Sequence, residues 1–494
     1  MGEENGVVAM SGNLFRRTVL ALCLIAVGAA ALTACGATPT ATPPAAAMAT
    51  PTPASVFAMG YTILSGDPAV MAEAAVGLAK AKGVQLQMVE ALPLGDVQTC
   101  AAVTLCLRSG AEIRLYRMTG STGVLVETEE RTADAMNWLY GAYQKAGKCL
   151  YVDAVYRTGS PPPQLLGGDP WIAGGSPWIA GGSGGGVAVA TSASLWSQWG
   201  LRSAALVGSS SVGISLTNAS GVRLPAAQGA EVRVGVFDTS PFAVTTTVTW
   251  IDPRLLLQVM ALPPLQDYTP LPTPATSTLP DVRDHGLYVA GLVHAVAPAS
   301  DIHLYPVLDN HAMGDLWTLA RSIHDFTAGV KADRQIITGA VMNLSLGLRP
   351  LASKAGVPAD MTALKTLVSA AHCQGIVVVA AAGNDSAGGP ARVPQLPASL
   401  PEAIAVGASD MAGGRACYSN QGEIMAPGGE ASDGCSGSFG APSMVGLVRQ
   451  SQEAQSGFAY WAGTSFAAPL VSGLARLSPS GSTASTRRSG RRSR

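Results

Sequence analysis

The run Val232-Arg233-Val234-Gly235-Val236-Phe237-Asp238 is apolar with almost no alternation, and it stops at an acid followed by Thr239, Ser240 and Pro241. A strand with one wet face alternates polar and apolar residues, whereas a strand covered on both faces reads as a continuous apolar run. Comparable runs at residues 302–308, 336–346, 376–381 and 403–406 alternate with helix-like stretches, so the chain beyond about residue 187 predicts an α/β fold, a parallel sheet between two helix layers. Function in such sheets gathers at the carboxyl ends of the strands. The loops after these runs are therefore the places to search for chemistry.

Three of the chain's segments carry the groups that nucleophilic hydrolysis by serine requires: a hydroxyl, an imidazole to take its proton, and a carboxylate to orient the imidazole. The carboxylate candidate is Asp238. The imidazole candidate is His285 in Asp284-His285-Gly286-Leu287-Tyr288-Val289-Ala290-Gly291-Leu292, whose small and apolar residues predict a tightly packed helix. The hydroxyl candidate is Ser465 in Gly463-Thr464-Ser465-Phe466-Ala467-Ala468-Pro469, a turn leading into a helix over residues 466–477. Taken singly, each has a bland reading: a turn acid, a structural histidine, a helix cap.

Taken together they occur in the order Asp, His, Ser, each in a matching context, and residues 194–477 resemble the catalytic domain of the subtilisin-like serine proteases. The resemblance extends to Trp199-Gly200-Leu201, Val296-Ala297-Pro298, Met342-Asn343-Leu344-Ser345-Leu346-Gly347, Ala382-Gly383-Asn384 and Ala426-Pro427-Gly428. It implies a three-layer catalytic domain and an endopeptidase in which Ser465 attacks the carbonyl, His285 acts as general base and Asp238 orients the ring. It also implies that Asn384 donates to the oxyanion, and that Ser345, Leu346 and Gly347 pair with the backbone of extended polypeptide substrates. Asn384→Ala is then expected to cripple turnover while sparing binding. Two positions depart from the family pattern: Ser240 stands where glycine is usual, which would strain the turn if positive φ were needed, and Leu287 stands where threonine is usual. These departures keep open a second reading, a catalytically inactive subtilisin-like module for surface binding or scaffolding.

Upstream, Arg16 and Arg17 precede an apolar run over residues 19–31 that ends in Leu32-Thr33-Ala34-Cys35-Gly36, the pattern of a bacterial lipoprotein signal. Residues 1–34 are read as the signal, Cys35 as the lipidated first residue of the exported chain, and residues 35–54, nearly all Thr, Pro and Ala, as a tether at the membrane surface. Residues 55–160 predict a small α+β, propeptide-like domain, with helices over 68–82 and 133–146 and strands over 112–116, 124–128 and 150–156. Residues 161–190 hold the repeat DPWIAGG and SPWIAGG and read as a linker. Self-cleavage is expected between Tyr156 and Trp199. The low-complexity basic tail over residues 478–494 is read as the product of a frameshift or truncation, in place of the packed continuation expected from the resemblance. A residue loop over 262–280, rich in proline, predicts a surface excursion near the site.

A net charge of -1 argues against nucleic acid as a partner, since phosphate contacts need a basic surface. No histidine or cysteine spacing suggests a catalytic metal, and no cofactor is required by the chemistry; the resembling family commonly binds structural calcium, but no acidic cluster marks a site. Cys100 with Cys106 and Cys417 with Cys435 are candidate disulfides by proximity, with free buried thiols as the alternative. A monomer is expected.

Overall fold

The structure, a computed structural model, describes residues 57–95, 110–159, 195, 198–202, 229–242, 257–260, 262–268, 282–348, 357, 360–386, 389–430, 442–449 and 457–475. The signal, Cys35, the tether, the repeat linker and the basic tail lie outside these residues, as do Cys100, Cys106 and Cys435.

The first part of the chain runs β1 (Phe57–Gly66), α1 (Pro68–Lys82), β2 (Gln85–Pro93), β3 (Glu112–Thr119), α2 (Glu129–Leu139) and β4 (Leu150–Gly159). Helix α1 has the predicted bounds because both of its ends are encoded locally. Asp67 accepts a hydrogen bond from the Ala69 N–H at 2.7 Å, Pro68 occupies the first turn, and Gly83 closes the helix at φ 65°. Helix α2 starts four residues earlier than predicted, at the Thr128 cap, and ends in a π-helical turn, Tyr140–Gln144. The strand expected over 124–128 reduces to one bridge, Thr119 to Leu125, because the turn at Gly120–Gly123 uses up the pairing. Strands β1 and β2 were not foreseen.

The remainder runs β5 (Val232–Asp238), β6 (Leu257–Val259), α3 (His285–Val296), β7 (Asp301–Pro306), β8 (Met313–Asp315), α4 (Leu316–Ala332), β9 (Gly339–Leu344), α5 (Thr362–Cys373), β10 (Ile376–Ala381), β11 (Ala403–Ser409), β12 (Ile424–Pro427), β13 (Met444–Leu447), β14 (Phe458–Trp461) and α6 (Thr464–Leu474). Seven of these strands form a parallel sheet in the order β12-β11-β10-β9-β5-β7-β6. Helices α3 and α6 pack together on one face, and α4 and α5 pack together on the other. This is the predicted three-layer α/β arrangement, and each predicted apolar run supplies one of its central strands. Every residue of α3 is buried, His285 and His294 included, as a helix so largely apolar requires, because the β13-β14 hairpin covers the side that the sheet and α6 leave open.

The smaller sheet, β2-β3-β1-β4, is extended by β8 of the larger domain: Arg157, Thr158 and Gly159 pair antiparallel with Asp315, Gly314 and Met313. One face of this sheet holds α1 and α2, and the other lies on α4 and α5. Polar contacts accompany the packing. Both oxygens of Asp153 accept backbone N–H groups at the start of α5, from Thr362 at 3.0 Å and Ala363 at 2.8 Å. Glu90 accepts from Trp317 Nε1 at 3.1 Å and pairs with Arg321 at 2.6 Å. Asp153 is fully buried, and that burial raises its carboxyl to about 6.

The start of the proline-rich excursion lies at the surface, with Pro263, Pro264, Gln266 and Asp267 exposed, and is anchored by Tyr268, buried edge-on against Tyr61, whose hydroxyl donates to the Asp267 carbonyl at 2.9 Å. Two expectations need correction. Ser240 does not sit at positive φ; its hydroxyl closes a local turn with the Phe242 N–H at 3.2 Å, so serine fits there unstrained. Cys149, Cys373 and Cys417 are each disulfide-bonded, which removes the free-thiol alternative for these three.

Candidate active site

Asp238 terminates β5 with its side chain wholly buried. Its Oδ1 accepts the Thr239 N–H at 2.7 Å and lies 2.7 Å from His285 Nδ1. A carboxylate only accepts, so Nδ1 must carry the proton, and in the neutral ring the lone pair is then on Nε2. Thr239 holds the histidine turn as well: its hydroxyl donates to the Arg283 carbonyl at 2.9 Å and accepts the Gly286 N–H at 3.0 Å. Gly286 is required by this close approach, since a Cβ there would lie 2.0 Å from the Thr239 carbonyl oxygen. Asp284, in turn, pairs with Arg449 Nε at 2.8 Å, tying the start of α3 to the chain beyond β13.

The His285 ring is 4% exposed as a residue and is walled by aromatic side chains, Trp461 at 5.2 Å edge-on and Phe466 at 5.2 Å. Phe466 adjoins Ser465, so the first turn of α6 brings the candidate hydroxyl to the same rim as the imidazole. Ser465 remains partly exposed between buried neighbours. Its Oγ donates to the Ser345 carbonyl at 3.2 Å, while Ser345 Oγ donates to the Ser465 carbonyl at 2.8 Å. The hydrogen bond between Ser465 and His285 that the sequence reading anticipates is not among those formed by the described residues.

Asn384 follows β10, and its Oδ1 accepts both the N–H of Thr464 at 2.9 Å and the Thr464 hydroxyl at 2.8 Å. Fixing the oxygen this way directs the amide nitrogen toward Gly463, where a Cβ would stand 3.6 Å from Asn384 Nδ2. Leu346 is buried, and Gly347 is partly exposed against the side chain of Gln395. Asp238, His285, Ser345, Asn384 and Ser465 thus meet at the carboxyl ends of β5, β9 and β10 and at the start of α6, where a parallel sheet of this topology concentrates its loops. Among the described residues no group of three or more His, Cys, Asp or Glu side chains could hold a metal ion.

The model of the subtilase family matches residues 229–488. The chain belongs to the subtilase family. Over 214 residues it is 32% identical to subtilisin from Bacillus pumilus, a match covering 41% of this chain and 65% of that protein. It is 31% identical over 214 residues to subtilisin E from Bacillus subtilis (strain 168), covering 41% of this chain and 47% of the relative. The chain therefore matches less than two thirds of the length of either relative. A solved lanthipeptide protease is 22% identical, covers 51% of this chain and 73% of its own, and has a TM-score of 0.38.

Several residues of this subtilase site were missed from sequence. Trp461 and Tyr288 build the aromatic wall around His285 and Phe466; Trp461 lies in a short hairpin strand with no chemical signature, and Tyr288 sits within the histidine segment, where it reads as one more packing residue. Thr239 could have been noticed, because a hydroxyl next to the strand-ending acid is well placed to bind a neighbouring turn. Gln395 and Asn420 gave no signal, as each acts on a loop distant in sequence.

Proposed function

We propose that the chain is a serine endopeptidase, hydrolysing peptide bonds through an acyl ester on Ser465. The observation that carries this reading is the buried Asp238–His285 pair at 2.7 Å, beside a serine at the head of a helix whose first residue is held by Asn384. For attack, the Ser465 hydroxyl turns from the Ser345 carbonyl to His285 Nε2. Oγ then adds to the scissile carbonyl carbon while its proton passes to Nε2, and Asp238 stabilises the imidazolium through the Nδ1 proton. The Asn384 amide and the Ser465 N–H receive the oxyanion. Collapse expels the amine, which takes the proton from His285, and water repeats the sequence on the ester.

Extended substrate backbone is proposed to pair along Ser345, Leu346 and Gly347. The domain over residues 57–159 is proposed to act as a propeptide, supported by its sheet resting on α4 and α5 and by the Asp153 cap on α5. Release would follow cleavage between Tyr156 and Trp199. Export with lipidation at Cys35 belongs to the same reading, supported by the sequence at residues 16–36.

One observation favours the second reading, an inactive binding module: the Ser465 hydroxyl is hydrogen-bonded to Ser345 and not to His285. Catalytic hydrogen bonds are often unformed before substrate arrives, so the peptidase reading accommodates it. The two readings separate on hydrolysis of fluorescein-labelled casein by the purified protein. Activity that Ser465→Ala abolishes supports the peptidase; a folded protein that leaves casein intact supports the module.

A further inference from the structure

We propose that Asn420 is a positioning residue that sets the Asn384 amide at the oxyanion; the inference rests on the peptidase reading. Asn420 is completely buried and lies in the turn between β11 and β12, well away from Ser465 in sequence. Its side chain reaches the loop after β10 on both sides of Asn384. Nδ2 donates to the Ala382 carbonyl at 3.1 Å and to Asp385 Oδ2 at 3.0 Å. Oδ1 accepts the Asp385 N–H at 3.1 Å and the Ser386 hydroxyl at 3.1 Å. The backbone adds a fifth tie, from the Asn420 N–H to the Gly383 carbonyl at 2.8 Å.

Two donors and two acceptor sites are all that a side-chain amide has, and each is used. The assignment of the amide is forced as well, since the Ala382 carbonyl must meet N–H and the Asp385 N–H must meet oxygen. No other residue type of this size supplies the set: aspartate would face the Ala382 carbonyl and the Asp385 carboxylate with no donor, and leucine would remove the acceptor of the Asp385 N–H and of the Ser386 hydroxyl. Gly383 makes room for the contact. It lies at φ 105°, and a Cβ on it would stand 2.6 Å from Asn420 Nδ2.

The loop bearing Asn384 is thus clamped at residues 382, 383, 385 and 386 by Asn420, and at Asn384 itself by Thr464. A donor to an oxyanion must be in place before charge develops, and a misplacement of about 1 Å costs roughly a hundredfold in rate. Asn420 fixes that place without touching substrate.

The test uses a fluorophosphonate, whose phosphorus is attacked by Ser465 Oγ as the P–F bond breaks and fluoride leaves, the serine proton passing to His285, while the phosphoryl oxygen occupies the oxyanion position. Inactivation is measured for the full chain, Asn420→Ala, Asn384→Ala and the double variant, with Asn420→Ser as the milder substitution if Asn420→Ala does not fold. Loss of Asn420 should lower kinact by about ten- to a hundredfold with KI changed less than about threefold, and should add less than about threefold once Asn384 is already alanine. Equal losses with and without Asn384, or a change confined to KI, would overturn the positioning role. Failure of the unmodified protein to react at Ser465 would instead remove the peptidase reading, and this inference with it.

Discussion

Ser345 and Ser465 are hydrogen-bonded in both directions, each hydroxyl donating to the other's carbonyl, at 2.8 and 3.2 Å. The pair links the loop after β9 to the first turn of α6 and holds the backbone of Ser465. Removing the Ser345 hydroxyl deletes the contact to the Ser465 carbonyl and leaves the Ser345 carbonyl in place. A neutral hydrogen bond contributes about 1 kcal/mol, so Ser345→Ala should slow casein hydrolysis by roughly fivefold. An unchanged rate would show that α6 alone positions Ser465.

Gly286→Ala places a Cβ 2.0 Å from the Thr239 carbonyl oxygen and 3.0 Å from Asp238 Cβ, both on the strand end that carries the acid. Neither atom is the tip of a flexible side chain, so the start of α3 must move away from β5. Loss of about 2–3 kcal/mol of stability is expected, with hydrolysis reduced further by the displaced imidazole. Chemical denaturation checks the first and casein turnover the second; a variant as stable as the parent would contradict the tight seam between α3 and β5.

Asp153 links pH to the contact between the two domains. Burial raises its carboxyl to about 6, against the hydrogen bonds from Ala363 and Thr362, with Asp360 raising it further and Lys365 lowering it. The folded chain therefore binds more proton at this group than the unfolded chain between about pH 4 and about pH 6, and stability falls as pH rises through that window. The Asp153→Asn variant lacks that proton equilibrium. The difference in Tm between parent and variant should drift against the parent from about pH 4 to about pH 7 and then level off. A difference constant with pH would show that the carboxylate is comfortably ionised at the α5 terminus.

Gln395 fills the space between the two loops that flank Ser465. A Cβ on Gly347 would lie 1.9 Å from its Oε1, and one on Gly383 would lie 3.0 Å from its amide carbon. Its Nε2 is anchored on Asp385 at 2.5 Å. If residues 345–347 line the substrate as proposed, Gln395→Ala should open room beside them and shift cleavage of casein toward larger side chains by roughly tenfold. Peptide mass spectrometry of the digests reports the shift, and identical cleavage patterns would place the substrate side chain elsewhere.

The sheet was readable because the property that makes a strand central, cover on both faces, is written as an unbroken apolar run; β5, β7, β9, β10 and β11 all show it. The short strands β6, β12, β13 and β14 were not, since three or four residues carry too little pattern and are held by tertiary contacts. Helix α1 was exact where Asp67, Pro68 and Gly83 punctuate it, and α2 was misplaced because its Thr128 cap lies within a stretch that reads as strand. At the site, Asp238 and His285 were found and are paired. Ser465 and Asn384 were named as candidates, and their hydrogen bonds go to Ser345 and Thr464, which motif order does not disclose. Asn420 and Gln395 were invisible, because their significance lies in which distant loop they brace.

The central claim is that Ser465 is a nucleophile served by His285. It is tested most directly by incubating the folded chain with a fluorophosphonate and locating the adduct by mass spectrometry of its peptides. The account predicts one adduct, on Ser465, that disappears in His285→Ala. A folded parent chain with no adduct, or an adduct on Ser465 that forms at the same rate without His285, would contradict it.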